Sequence, residues 1–160
     1  MNAVTPTSVL VIESHPMMRE ALRNAIAEEP DLTLAQPAIN GPEESQMVIA
    51  IKPDIILLAY KPDLILLALG NPGLDDLETL SLLRKSLPDI PILALTSNEV
   101  EGQEQAALDA GACAALTKAA PRSELIGKLR DLWAKAIMNH SEVHLEEEVN
   151  EKDITVEPTE

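Results

Sequence analysis

The chain lacks phenylalanine, and its 160 residues include one tyrosine and one tryptophan. Because 46% of the residues are nonetheless hydrophobic, the sequence predicts a sizeable aliphatic core in one domain with a tail. The single cysteine, Cys113, excludes an intramolecular disulfide bond, which favours a reducing, cytoplasmic location. No apolar run approaches the roughly 18–20 residues of a membrane helix, and the N-terminus has no basic start with an apolar leader. We therefore expect neither a signal peptide nor a membrane span.

Basic residues are also scarce, with 12 Lys and Arg against 27 Asp and Glu and a net charge of −15 at pH 7. An acidic surface repels the phosphates of nucleic acids and anionic lipids, so we expect no nucleic-acid and no membrane partner. Between residues 139 and 160, eight acidic residues stand against one lysine, and apolar residues are sparse. This composition predicts a disordered acidic tail over 139–160, with a further turn or two of helix over Val143–Val149 as the alternative.

Short apolar runs alternate along the chain with segments of helical periodicity. The predicted strands are Ser8–Ile12, Leu32–Gln36, one strand within residues 52–69, Ile92–Leu95 and Ala114–Thr117. The predicted helices are Pro16–Glu29, Pro42–Ile51, Asp75–Ser86, Val100–Ala110 and a fifth that begins at Ser123. Five such units joined by short loops predict a flavodoxin-like, doubly wound, five-stranded parallel sheet with helices on both faces. Functional sites in such folds lie at the carboxyl ends of the strands.

A tandem duplication lies at the centre of the sequence. Lys52–Tyr60 (KPDIILLAY) and Lys61–Leu69 (KPDLILLAL) are near-copies of one nine-residue unit, and each contains an uncharged apolar run that suits a strand buried on both faces. The fold has one central position for a third strand, so the two copies are alternatives for it. We predict that the second copy fills the position, because the turn Asn71-Pro72-Gly73 follows it directly.

Four segments in a fixed order carry a family resemblance. They are VLVIESHPMMREALRNAI, PDLILLALGNPGLDDLETL, IPILALTSNE and DAGACAALTKAAPRSEL. Together they resemble the response-regulator receiver family, whose CheY-like fold agrees with the predicted sheet. The resemblance implies a receiver-like domain over residues 8–138, after an extension at residues 1–7. It also implies a pocket at the strand ends where a magnesium ion assists the phosphorylation of an aspartate.

Three residues match that pocket. Thr96 stands at the position of the switch hydroxyl, Lys118 at the position of the family's lysine, and Glu13 at the first acidic position. We expect Glu13 and Lys118 to be able to pair across the pocket, with the ammonium supplying the positive charge that the metal supplies in other receivers.

Other residues depart from the family pattern. Ser14 replaces the second acid, which is the usual metal-ligand aspartate. The phosphoacceptor position falls on Ala68, or on Ala59 if the first copy forms the strand, so the acceptor is alanine in either case. Ala115 stands where the family has an aromatic switch residue. The resemblance therefore implies a degenerate pocket, for which we expect no metal, no cofactor and no aspartyl phosphorylation.

The leading hypothesis is a stand-alone pseudo-receiver of two-component (phosphorelay) signalling that is not an enzyme and acts by protein–protein interaction. The family resemblance implies partner contacts through the fourth helix, fifth strand and fifth helix, including Gln103–Asp109 and Lys128–Lys135, with a homodimer as an alternative. A second hypothesis is a working phosphorelay receiver with an unconventional acceptor. A third is an enzyme or nucleotide binder on a flavodoxin-like fold. The turn after the first strand, ESHPMM, disfavours the third because it has no glycine-rich phosphate loop.

Overall fold

A computed structural model describes residues 5–13, 15–35, 62–70, 74–97 and 100–154. Its elements in chain order are β1 (Thr7–Ile12), α1 (Pro16–Ala27), β2 (Leu32–Leu34), β3 (Leu64–Ala68), α2 (Leu74–Ser86), β4 (Ile92–Thr96), α3 (Gln103–Ala110), β5 (Ala114–Thr117) and α4 (Arg122–Ile154). The predicted helix over Pro42–Ile51 and the first repeat copy lie outside the described residues. The described α2, α3 and α4 are the third, fourth and fifth helices of the prediction.

The five described strands form one sheet in the order β2-β1-β3-β4-β5, and every neighbouring pair is parallel. Helices cover both faces of this sheet. α1 and α4 pack on one face and contribute Leu22, Ile26, Leu125, Ile126, Leu129 and Leu132 to the core there. α2 and α3 pack on the other face and contribute Leu80, Leu83 and Ala107. The predicted doubly wound, flavodoxin-like architecture is confirmed.

The second repeat copy forms β3, as predicted, and it lies between β1 and β4. Leu10 pairs with Ile65 on one side, and Leu66 pairs with Leu93 on the other. Its residues alternate between the two cores: Leu64, Leu66 and Ala68 face one cluster, whereas Ile65, Leu67 and Leu69 face the other. Each large aliphatic side chain buried in this way contributes roughly 1.5–3 kcal/mol. Burial on both faces explains why the run is continuously apolar.

The amino end of β3 is anchored to β1 through Asp63 and Ser8. The Ser8 backbone N–H and hydroxyl donate to Asp63 Oδ2 at 2.9 and 3.2 Å, and the Asp63 backbone N–H donates to Ser8 Oγ at 3.0 Å. These hydrogen bonds hold Asp63 beside Ser8, so that the second copy begins its strand at Leu64. Because a shift of one residue would exchange the two buried faces, the anchor supports a single register.

Arg84 fastens the end of α2 to the loop between α3 and β5. Its guanidinium donates to the carbonyl oxygens of Gly111 and Pro88 at 2.8 and 3.0 Å and to Cys113 Sγ at 2.9 Å. Gly111 ends α3 at φ 121°, and a Cβ there would lie 2.6 Å from Arg84 Cγ, so both the backbone and the contact require glycine. The predicted cap is confirmed. The predicted start of that helix at Val100 is wrong, because α3 begins at Gln103.

An ion-pair cluster joins α4 to the end of α1. Arg130 makes a two-pronged contact with Asp31 at 2.8 and 2.9 Å, and it also contacts Glu29 at 2.9 Å. Arg122 pairs with Glu28 at 2.6 Å. The hydrogen bonds from Arg130 hold the pKa of Asp31 below its usual value, and in turn Asp31 raises the pKa of Arg130. All of these side chains are at least partly exposed, so salt screens the cluster.

The last helix is longer than predicted. The sequence analysis favours disorder from Asn139, whereas the backbone of α4 remains helical to Ile154. Two properties explain the difference. Forming the first turn of a helix is the step with an unfavourable free energy, and the residues packed as far as Leu132 already form such turns. The helix then only has to be extended one residue at a time. Residues 139–154 contain no proline or glycine and are rich in glutamate, a good helix former. No helix in the described residues is both long enough and apolar enough to cross a membrane.

Candidate functional site

The carboxyl ends of four parallel strands bring the sequence-predicted pocket residues to one edge of the sheet. Glu13 directly follows β1, Ala68 ends β3, Thr96 ends β4 and Lys118 directly follows β5. The register supports this alignment, because Ile12 pairs with Leu67, Ala68 with Leu95, and Thr96 with Thr117. Ser14 and Ala59 lie outside the described residues. We call this edge the strand-end pocket.

Glu13 is a buried acid that faces Lys118. Glu13 is 3% exposed, and its Oε1 accepts a hydrogen bond from the backbone N–H of His15 at 2.9 Å. Its Oε2 lies 3.5 Å from Lys118 Nζ and has no hydrogen-bond donor among the described residues. The contact is therefore an ion pair without a well-formed hydrogen bond. It brings positive charge to a carboxylate whose burial is otherwise costly.

Two hydrogen bonds, one between backbone groups and one from a side chain, link β4 and β5 at this edge. The Lys118 N–H donates to the Thr96 carbonyl oxygen at 2.8 Å. Thr96 is 4% exposed, and its hydroxyl donates to the Leu116 carbonyl oxygen at 3.3 Å. The hydroxyl that stands at the switch position is thus bonded to the neighbouring strand.

The two alanine positions offer no chemistry of their own. Ala68 is 6% exposed, and its side chain is a methyl group in the first core cluster. Ala115 lies in β5 and packs against the second cluster. A methyl group has no oxygen to ligate a metal or attack a phosphoryl group, and alanine has no ring to change rotamer.

Sequence reasoning missed a buried polar network beside the pocket. Gln103 is 3% exposed; its Nε2 donates to the Gly70 carbonyl oxygen at 2.9 Å, and its Oε1 accepts from the Ser97 N–H at 2.6 Å. The Gly70 N–H donates to Asp76 Oδ2 at 2.7 Å. One amide thus joins the loop after β3 to the loop after β4. The sequence analysis placed Gln103 on a partner-binding surface, and its burial corrects that assignment. A glutamine in a first helical turn carries no local signal for such a role.

The resemblance to receivers implies a magnesium ion at the strand-end pocket, so the fit of the residues can be tested. Magnesium requires near-octahedral oxygen coordination. Among the described residues, no three His, Cys, Asp or Glu side chains are grouped as metal ligands. The described residues therefore do not fit a magnesium site.

Comparisons with known proteins agree with the observed fold. The family model for the response regulator receiver domain matches residues 9–130. The chain is 34% identical over 102 residues to the nitrate/nitrite response regulator protein NarL of Escherichia coli (strain K12), covering 63% of this chain and 43% of that protein. It is 29% identical over 126 residues to response regulator GacA of Pseudomonas viridiflava, covering 79% of this chain and 55% of that protein. The response regulator domain of Thermotoga maritima CheB matches with a TM-score of 0.60 and 26% identity, covering 81% of this chain and 98% of that chain.

The matches show which part of the chain is shared with known receivers. The chain spans about half the length of the curated relatives it matches. The family match includes all five described strands except the first residues of β1, together with the described residues of the strand-end pocket. The fold, the strand order and the family match therefore agree, and the chain belongs to the response regulator receiver domain family.

Proposed function

We propose that this chain is a non-enzymatic, receiver-like module of two-component signalling that acts by protein–protein interaction without aspartyl phosphorylation. The observation that carries the proposal is Ala68 at the carboxyl end of the central strand. Receiver phosphorylation requires a carboxylate oxygen as the nucleophile, with cations that neutralise the phosphoryl oxygens. Ala68 has no such oxygen, and the ammonium of Lys118 is already paired with Glu13. That the module acts without an attached output domain remains a prediction.

Incubation with acetyl phosphate and magnesium tests the chemical part of this proposal. We expect the intact mass of the protein to stay unchanged. A matched variant, Ser14→Asp with Ala68→Asp, restores two carboxylates and is expected to gain one phosphoryl group. A stable phosphoryl group on an aspartate of the unmodified chain would instead favour a receiver with an unconventional acceptor.

The proposed partner surface is the face formed by α3, β5 and α4. Leu108 on α3 is 38% exposed, between exposed acidic residues such as Glu104 and Asp109. Protein-binding surfaces have an apolar centre and a polar rim, and we propose Leu108 as the apolar centre of this one. The net charge of −15 favours a protein partner over a nucleic acid. A second copy of the chain is the alternative partner.

Matched surface variants test which face binds. Leu108→Glu should abolish co-purification of the partner from the native cell. Leu82→Glu should have no effect, because Leu82 is 52% exposed but lies on α2. Loss of binding with Leu82→Glu and not with Leu108→Glu would place the partner elsewhere. Sedimentation of the purified chain identifies a homodimer, which the Leu108 substitution should then dissociate.

A further inference from the structure

The central position of the sheet, between β1 and β4, makes simple demands on the segment that fills it. Six consecutive residues from Leu64 to Leu69 are buried and aliphatic. Their side chains have no polar atoms, so packing and backbone pairing hold the strand. The polar anchor is Asp63, whose carboxylate and N–H bond to Ser8. A segment that repeats the aspartate and the aliphatic run therefore meets the same demands.

The first repeat copy meets them almost residue for residue. Seven of its nine positions are identical to those of the second copy, including the aspartate, Asp54. One difference is Ile55 in place of Leu64, a volume-conserving exchange that buried positions tolerate well. The other difference is Tyr60 in place of Leu69. The Leu69 side chain is 0% exposed. A tyrosine there adds volume and brings a hydroxyl that needs a partner.

We propose that the two copies compete for the central position, so that the chain has two states that differ in which copy forms the central strand. In the state described here, Leu64–Ala68 forms β3. In the alternative state, Ile55–Ala59 forms the same strand, and Asp54 takes the place of Asp63 beside Ser8. The described state is favoured because Leu69 fits the fully buried position after the strand better than Tyr60 would. Because the exchange requires a central strand to separate from both neighbours, it is slow compared with loop motion.

The exchange changes the strand-end pocket. In the described state Gly70 follows Leu69 directly, and its carbonyl oxygen accepts from Gln103 while its N–H donates to Asp76. In the alternative state Tyr60 takes the place of Leu69, and nine residues, Lys61–Leu69, are added between it and Gly70. In that state the added residues follow the central strand, at the pocket end of the sheet. This device alters the pocket without any phosphoryl chemistry and does not depend on the proposed function.

A buried charge in each copy tests the exchange. Leu66 is 0% exposed and pairs with Leu93, which is 1% exposed in β4. Leu93→Asp should unfold the chain, since β4 has no duplicate in the sequence. Leu66→Asp should remain folded with a lowered urea midpoint, because the first copy replaces the second. Leu57→Asp should leave the midpoint near that of the parent. The double variant Leu57→Asp with Leu66→Asp should unfold.

Each other result overturns the proposal. If Leu66→Asp unfolds the chain as Leu93→Asp does, the first copy cannot replace the second. If Leu93→Asp or the double variant stays folded, tolerance of Leu66→Asp does not come from the duplication. Circular dichroism and urea unfolding of the full chain give these results directly.

Engineered disulfide bonds can show directly which copy lies beside Ser8. In a Cys113→Ser background, the pair Ser8→Cys with Asp63→Cys should form a disulfide under mild oxidation, because the two native side chains are in contact, with Ser8 Oγ 3.2 Å from Asp63 Oδ2. The pair Ser8→Cys with Asp54→Cys should form one when Leu66→Asp is also present. A folded Leu66→Asp protein in which the second pair stays reduced would contradict the exchange.

Discussion

Gln103 reaches from the first turn of α3 to the loop after β3, where its side-chain amide donates a 2.9 Å hydrogen bond to the carbonyl oxygen of Gly70. The same amide accepts from the N–H of Ser97 in the loop after β4. Because Gln103 is buried, water does not readily replace these bonds. The two loops that border the strand-end pocket are therefore held in one relative arrangement.

Removal of this amide should destabilise the protein. Gln103→Ala deletes two buried hydrogen bonds, and we expect the free energy of unfolding to fall by about 1–3 kcal/mol. Gln105→Ala is the control, since Gln105 is an exposed residue of the same helix that bonds to Asp109. It should change stability by less than about 0.5 kcal/mol. Equal urea midpoints for the two variants would show that the Gln103 bonds contribute little.

The pair of Glu13 and Lys118 should show coupling in a double-mutant cycle. Lys118→Met leaves the buried carboxylate without its ammonium, whereas Glu13→Gln removes the charge that needs pairing. Glu13 is buried but the Lys118 side chain is 24% exposed, so we expect a coupling of about 1–2 kcal/mol, between the values for surface and buried pairs. Urea unfolding of the parent, both single variants and the double variant gives the coupling. A value near zero would mean that the 3.5 Å contact has no energetic role.

Acid should weaken the link between α4 and α1. The pKa of Asp31 is lower in the folded protein than in the unfolded chain because Arg130 bonds to the carboxylate. Its stabilising contribution is therefore complete above the unfolded pKa of about 3.9 and is lost as the pH falls through the lower folded value. The difference in melting temperature between the parent and Asp31→Asn should be constant near neutral pH and should narrow below about pH 4. Added salt should reduce the difference at neutral pH. A difference that widens in acid would contradict the assignment.

Truncation after Met138 should preserve the domain. Among the α4 side chains whose burial is described, which run to Asn139, the last buried one is Leu132, and Ile137 and Met138 are 47% and 64% exposed. We expect the melting temperature to shift by a few degrees, while the helical signal in circular dichroism falls with the helix removed. A large loss of stability would show instead that residues 139–160 pack against the domain.

The fold could be predicted because its signals are local and repeated. Each buried strand is a short apolar run, and the turn after Leu69 indicates which copy fills the central position. The role of Gln103 could not be predicted in this way, because its bond to Gly70 depends on how a loop 33 residues away is placed. The extent of α4 was missed because the acidic composition suggested disorder, whereas the packed first part of the helix provides the nucleus for the rest. The Glu13–Lys118 contact was expected because both residues stand at positions of the family pocket. Its distance and its lack of a well-formed hydrogen bond could be learned only from the structure.

The length of α4 has a mechanical consequence. Among the described side chains of α4, those that pack against the sheet extend as far as Leu132 and Trp133, and the backbone continues as helix to Ile154. At 1.5 Å per residue, the part beyond Trp133 extends for about 30 Å. A tilt of about 5° in the packed part would displace the far end by about 3 Å, roughly two residues of helical rise. For a helix that tilts as a rigid rod, a small repacking against the sheet is therefore magnified at the far end into a displacement large enough to make or break a side-chain contact.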